Sequence, residues 1–121
     1  MQKLLKPFII AVLASSLAAT AAFAHAFLDH ATPGVGTTVS GSPSELTLSF
    51  TQGVVVAFSS VTVSGAGGAV PASKPVNDPS NQQIIHVRLG HPLKPGSYTV
   101  TWHVLSVDTH RTEGSYHFTV S

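Results

Sequence analysis

The chain has 121 residues, six basic and five acidic side chains, seven histidines and no cysteine. The missing cysteines exclude thiolate zinc sites, iron–sulfur clusters, disulfides and cysteine nucleophiles. The nearly balanced charge provides no electrostatic footprint for nucleic acid or an anionic membrane.

Residues 1–24 read as a secretory signal peptide. The basic start Met1-Gln2-Lys3-Leu4-Leu5-Lys6 runs into an apolar stretch over residues 8–23, which closes on Ala22-Phe23-Ala24. That triplet satisfies the small-x-small rule of signal peptidase. An uncleaved membrane anchor is the alternative. The length of the stretch, its alanine and serine content and its closing triplet favour cleavage between Ala24 and His25. Export to the periplasm, or secretion, follows. The remaining 97 residues, 25–121, form one small domain. Lys3 and Lys6 leave with the leader, so Lys74, Arg88, Lys94 and Arg111 stand against Asp29, Glu45, Asp78, Asp108 and Glu113. All seven histidines stay, which tilts a short exported chain toward metal binding.

From residue 27 onward, short runs of period-two alternation are separated by Gly, Pro, Ser and Asn clusters, the pattern of an all-β chain. Strands are predicted over 27–31, 45–51, 54–58, 60–64, 83–89, 97–107 and 113–120. A Gly-rich turn falls at 65–68, and 69–82 reads as a surface loop or ragged edge strand. Leu46, Leu48 and Phe50 share one face, as do Ile85, Val87 and Leu89. Tyr98, Val100, Trp102 and Val104 are placed in the core with Tyr116, Phe118 and Val120. About seven strands with frequent turns and no helix indicate an immunoglobulin-like antiparallel β-sandwich or barrel.

Cleavage after Ala24 would give His25 a free α-amine beside its imidazole, two nitrogens able to close one chelate ring. Asp108 and His110 are two apart at the end of the longest strand, so in extended backbone their side chains project together. Three nitrogens and one carboxylate oxygen suit a tetragonal Cu(II), one per chain, and the Irving–Williams order places Cu(II) above zinc at such a set. Taken alone, the D-x-H pair reads more readily as a turn cap beside a solvated histidine; the N-terminal histidine in the same chain turns the reading to metal. His30 is assigned to the opposite face of its strand and His86 to the surface. His103 and His117 take outward phases, either as solvated residues or in a secondary or supporting role, and His91 has none. No nucleophile elbow, carboxylate pair or phosphate loop is found.

The segments His25-Ala26-Phe27-Leu28, Ala31-Thr32-Pro33-Gly34, Leu93-Lys94-Pro95-Gly96-Ser97-Tyr98, Trp102-His103-Val104-Leu105-Ser106-Val107-Asp108-Thr109-His110 and Gly114-Ser115-Tyr116-His117-Phe118-Thr119-Val120 resemble the CopC family of periplasmic copper-resistance proteins. The resemblance implies an immunoglobulin-like fold, Cu(II) bound by His25, Asp108 and His110, and a partner resembling the inner-membrane protein CopD. The chain departs from the family in three places. Met1, lost with the leader, is the only methionine, which disfavours the Cu(I) site of methionine-rich members. Gln52 stands where some members have Glu, and His103 where Arg is usual. The function expected is copper sequestration or carriage by a monomer that is not an enzyme. Its rivals are a histidine-brace copper monooxygenase and a metal-free interaction module.

Overall fold

The computed structural model describes residues 26–121, so the expected leader and His25 lie outside the described residues. Nine strands form two facing sheets. In chain order they are β1 (Leu28–Thr32), β2 (Thr38–Val39), β3 (Glu45–Phe50), β4 (Ser60–Gly65), β5 (Gly68–Val70), β6 (Val76–Asp78), β7 (Asn81–Arg88), β8 (Gly96–Leu105) and β9 (Arg111–Val120). One sheet runs β1-β3-β7-β6 and the other β2-β9-β8-β4-β5. The β-sandwich expected from the alternation is therefore present.

Alternation fills the space between the sheets. Leu46, Leu48, Phe50, Ile85 and Val87 enter from the first sheet, and Val61, Val63, Val100, Trp102, Val104, Tyr116, Phe118 and Val120 from the second. Burying each large apolar side chain contributes roughly 1.5–3 kcal/mol. Two aromatic pairs help fix the packing. Phe50 meets Trp102 edge-on at 5.3 Å between ring centres and an 81° interplanar angle, joining the sheets. Tyr98 stacks on Phe118 at 5.8 Å across β8 and β9.

The β8–β9 hairpin is paired without a bulge from Gly96↔Val120 to Leu105↔Arg111. On its inner face Trp102 lies opposite Gly114, and a Cβ added at that glycine would meet indole Cζ2 at 2.5 Å. The glycine is needed for close approach: the indole occupies the volume that any other side chain would fill.

Three details differ from the sequence expectation. Residues 54–58 are not a strand. Val54 N–H donates to the Gln82 carbonyl of the first sheet at 3.0 Å, and Val55 N–H to the Leu105 carbonyl of the second at 2.8 Å. The segment thus crosses between sheets and then tightens into a single 3-10 turn, Val56–Phe58. β2 has only two residues, too few for periodicity to register, and it pairs parallel with β9, so the second sheet is mixed. Residues 69–82 hold β6 and most of β5, both at sheet edges, as the ragged-edge reading expected. The longest strand ends at Leu105, and Val107 projects into solvent.

Replacing Gly114 by Ala should destabilise the fold by about 1–3 kcal/mol, because a rigid indole and a β-strand backbone must both shift to admit a methyl group. Gly67→Ala, where a Cβ meets nothing within 4 Å, should change stability far less. Denaturant unfolding of the two variants checks the contrast.

Candidate metal centre

Asp108 and His110 come together, although not by the route the sequence spacing implied. The backbone between them is a turn. Thr109 N–H donates to the Ser106 carbonyl at 2.9 Å, and Ser106 N–H donates to the His110 carbonyl at 2.9 Å. Val107, Asp108 and Thr109 therefore form a three-residue hairpin connection whose last member is left-handed, with Thr109 at φ 69°. Glycine is the usual occupant of that position, and a β-branched residue there costs of order 1–2 kcal/mol. In extended backbone Asp108 and His110 would have shared a face; here the turn brings His110 Nδ1 to 3.5 Å from Asp108 Oδ2.

Ser106, to which the sequence analysis gave no role, organises this turn. It is 1% exposed. Its hydroxyl contacts Asp108 Oδ1 and lies 3.1 Å from the His110 carbonyl oxygen. His110 N–H also points to Asp108 Oδ1, at 3.4 Å. The Ser106 hydroxyl, helped by the His110 amide and imidazole, holds the Asp108 carboxyl below its ordinary 3.8. Asp108 is thus aimed by its neighbours, and they favour its ionised form further. A serine in the inward phase just beyond the apolar run of β8 was the available signal.

The described chain begins beside this turn. Ala26 is fully buried, and its carbonyl accepts from the Thr112 hydroxyl at 2.7 Å. Phe27 N–H donates to Thr51 Oγ1 at 2.9 Å, and Thr51 N–H returns a bond to the Phe27 carbonyl at 2.9 Å. Thr112 is two residues past His110, a chain span of at most roughly 7 Å. His25, the third expected ligand, lies outside the described residues. Its neighbour Ala26 is tied to the strand that follows the D-x-H turn.

The remaining histidines separate clearly. Each of the five carboxylates has a histidine nitrogen within 3.5 Å. His30 is exposed and pairs with Asp29 at 3.2 Å. His103 pairs with Glu113 across β8 and β9 at 2.9 Å. His91 and His117 are exposed. His86 departs from the expectation of a plain surface residue. It is half-buried, with Nε2 2.8 Å from Asp78 Oδ1 and Nδ1 3.0 Å from Glu45 Oε1 and 3.1 Å from Thr47 Oγ1. Its outward phase was read correctly, but the edge strand β6 and its turn carry Asp78 over it. Asp78 drops to about 2 through bonds from His86 and Ser80. The His86 imidazole is raised above 6.5, chiefly by the Asp78 bond.

Residues 28–121 match the CopC domain, and the chain belongs to that family. It is 39% identical to Protein YobA of Escherichia coli strain K12 over 117 residues, covering 93% of this chain and 92% of YobA. The crystal structure of CopC from Methylosinus trichosporium OB3b aligns with a TM-score of 0.74 and 34% identity, over 80% of this chain and 94% of that one. PcoC, a methionine-rich copper resistance protein from Escherichia coli, aligns with a TM-score of 0.73 and 28% identity, over 81% of this chain and all of PcoC.

Two titrations test these assignments. Ser106→Ala should move the Asp108 pKa up toward 3.8 in a carboxyl-carbon NMR titration; an unmoved value would assign the lowering to His110 instead. The His86 clamp sets a pH dependence of stability. A raised imidazole pKa contributes stability that is complete below 6.5 and is lost as pH rises through the folded-state value. The lowered Asp78 pKa contributes above 3.8, and that part is lost as pH falls toward 2. Thermal melts should therefore fall in midpoint on raising pH from the acidic side of 6.5 into the alkaline range, and His86→Gln should flatten that slope.

Proposed function

We propose that this protein is an exported Cu(II)-binding protein that sequesters or carries copper, with the ion as cargo. Residues 1–24 serve as a leader removed between Ala24 and His25, leaving residues 25–121 as a monomeric periplasmic domain. His25 contributes its α-amine and imidazole, Asp108 a carboxylate and His110 a second imidazole. The observation that carries this reading is the Thr112–Ala26 bond, which anchors the residue after His25 beside the strand that leaves the D-x-H turn.

The donor set supports Cu(II). Three nitrogens and one carboxylate oxygen are borderline-to-hard ligands that favour a tetragonal cupric ion, and Cu(II) heads the Irving–Williams order at such sites. Soft thioether ligands, which Cu(I) prefers, have no source in residues 25–121. This separates the chain from PcoC, whose description as a methionine-rich copper resistance protein also associates the fold with copper. The activity is reversible ion binding, with no catalytic residue, and a membrane transporter resembling CopD is the receiving partner.

The work of the protein is done before the ion arrives. Ser106 orients Asp108, the hairpin turn sets Asp108 against His110, and Thr51 and Thr112 hold the start of the domain in place. An ordered set loses less conformational entropy on binding than a flexible peptide with the same donors. The α-amine, both imidazoles and the carboxylate must all be deprotonated to bind, so affinity falls as the solution is acidified.

Mass spectrometry of the exported protein should show a chain starting at His25. Cu(II) titration followed by EPR, on this form and on one with an extra residue before His25, then tests the chelate. The extension should weaken binding about 100-fold or more and alter the nitrogen hyperfine pattern, since it removes a six-membered chelate ring rather than a supporting contact. Unchanged affinity would sink the assignment.

A further inference from the structure

His103 and Glu113 lie opposite each other on the outer face of the β8–β9 hairpin, the same hairpin whose turn carries Asp108 and His110. We infer that this pair is a second, weaker Cu(II) site, an acquisition point that uses none of the three ligands assigned above. His103 Nδ1 and Glu113 Oε2 are 2.9 Å apart. Two adjacent ligands on a tetragonal ion with bonds of about 2.0–2.1 Å, set at a right angle, are separated by about 2.9 Å. A metal can take the place of this contact once both donors turn toward a common point off the line joining them, which two exposed side chains have room to do.

Three features distinguish this pair from the other histidine–carboxylate contacts. His86 is held through both ring nitrogens by carboxylates on opposite sides, so a metal would have to break two bonds to gain one bite. Asp29 and His30 are adjacent in sequence and 3.2 Å apart, on an irregular stretch of β1 where the register shifts. The His103–Glu113 pair instead spans two long, regularly paired strands, so its spacing is fixed by the ladder. Both side chains are more than half exposed and border a surface recess of about 300 Å³ formed with Val104, Arg111 and Thr112. Water can complete the coordination of an ion there.

The local charge is compatible. Glu113 supplies one negative charge, and the imidazole must be neutral to ligate. Arg111, the cation on the same face of β9, donates through Nη1 to the Phe58 carbonyl at 3.3 Å, which turns its guanidinium toward the Val56–Phe58 turn. Ser60 faces His103 from β4 and offers a hydroxyl to a coordinated water. With one nitrogen and one oxygen from the protein, the site prefers Cu(II) over Zn(II) and exchanges ions quickly. It sits three residues from His110 along β9, so an ion caught on the sheet face is delivered close to the tighter set.

The test is Cu(II) titration of the full 121-residue chain and of its exported form, read by EPR and by calorimetry. Both forms should bind one weak equivalent with a one-nitrogen signature. His103→Ala should abolish it, and Glu113→Gln should weaken it about tenfold, while the tight equivalent of the exported form stays within twofold. Asp108→Asn should do the reverse, weakening the tight equivalent and sparing the weak one, so failure of either site is read separately. A weak equivalent that survives His103→Ala, or none in the parent protein at millimolar copper, would overturn the proposal. Circular dichroism of His103→Ala should match the parent, since the substituted side chain is exposed and outside the core.

Discussion

The β8–β9 hairpin is the constraint on which the other features depend. Ten uninterrupted rungs join its strands, and they do three things at once. The inner face supplies Trp102, Val104, Tyr116 and Phe118 to the core. The outer face sets His103 against Glu113. The closing turn carries Asp108 and His110. A slip of one residue would invert every one of these assignments, because side chains alternate with period two. The Trp102–Gly114 rung resists such a slip: the indole fits only over a residue with no side chain.

The hairpin turn shows how local strain is accommodated where chemistry is needed. Thr109 takes a left-handed backbone that glycine would adopt at lower cost, and the surrounding bonds hold it there. Its neighbours benefit. Ser106 is fixed by burial and by its backbone N–H bond to the His110 carbonyl, and so can present its hydroxyl to Asp108. The carboxylate is then oriented by a buried hydroxyl and by the backbone of the turn. The start of the domain is anchored by the same economy of means, with Thr112 and Thr51 bonding Ala26 and Phe27.

Charge is used sparingly and in one style. Every carboxylate is placed against an imidazole, a partner whose charge depends on pH and which can exchange its proton for a metal. The contexts set the outcome. At His86 two carboxylates on opposite ring nitrogens make a structural clamp at the sheet edge. At His110 and His103 the nearby carboxylate approaches one ring nitrogen of an exposed imidazole. The same two residue types therefore sit in different settings, a doubly held clamp at His86 and exposed contacts at His103 and His110. The fold is shared with CopC of Methylosinus trichosporium and with PcoC, whose methionine-rich character this chain, with Met1 alone, does not share.

The sequence by itself determined the fold class, the inward-facing residues and the pairing of Asp108 with His110 as candidates. These are properties of alternation and short-range spacing, which a linear pattern carries directly. It also contained the CopC resemblance, in motifs that prove to be the Trp102–Gly114 rung and the Ser106–His110 turn. Tertiary structure alone decided how Asp108 and His110 meet, since a turn with Thr109 left-handed, and not an extended strand, brings them together. It decided that residues 54–58 cross between sheets, that two residues at 38–39 pair parallel with β9, and that His86 is clamped. Each of these depends on partners far away in sequence: Gln82 and Leu105 for the crossing, Thr119 and Val120 for β2, Asp78 and Glu45 for His86. A periodicity reports which way a side chain points, but not what another strand will bring to meet it.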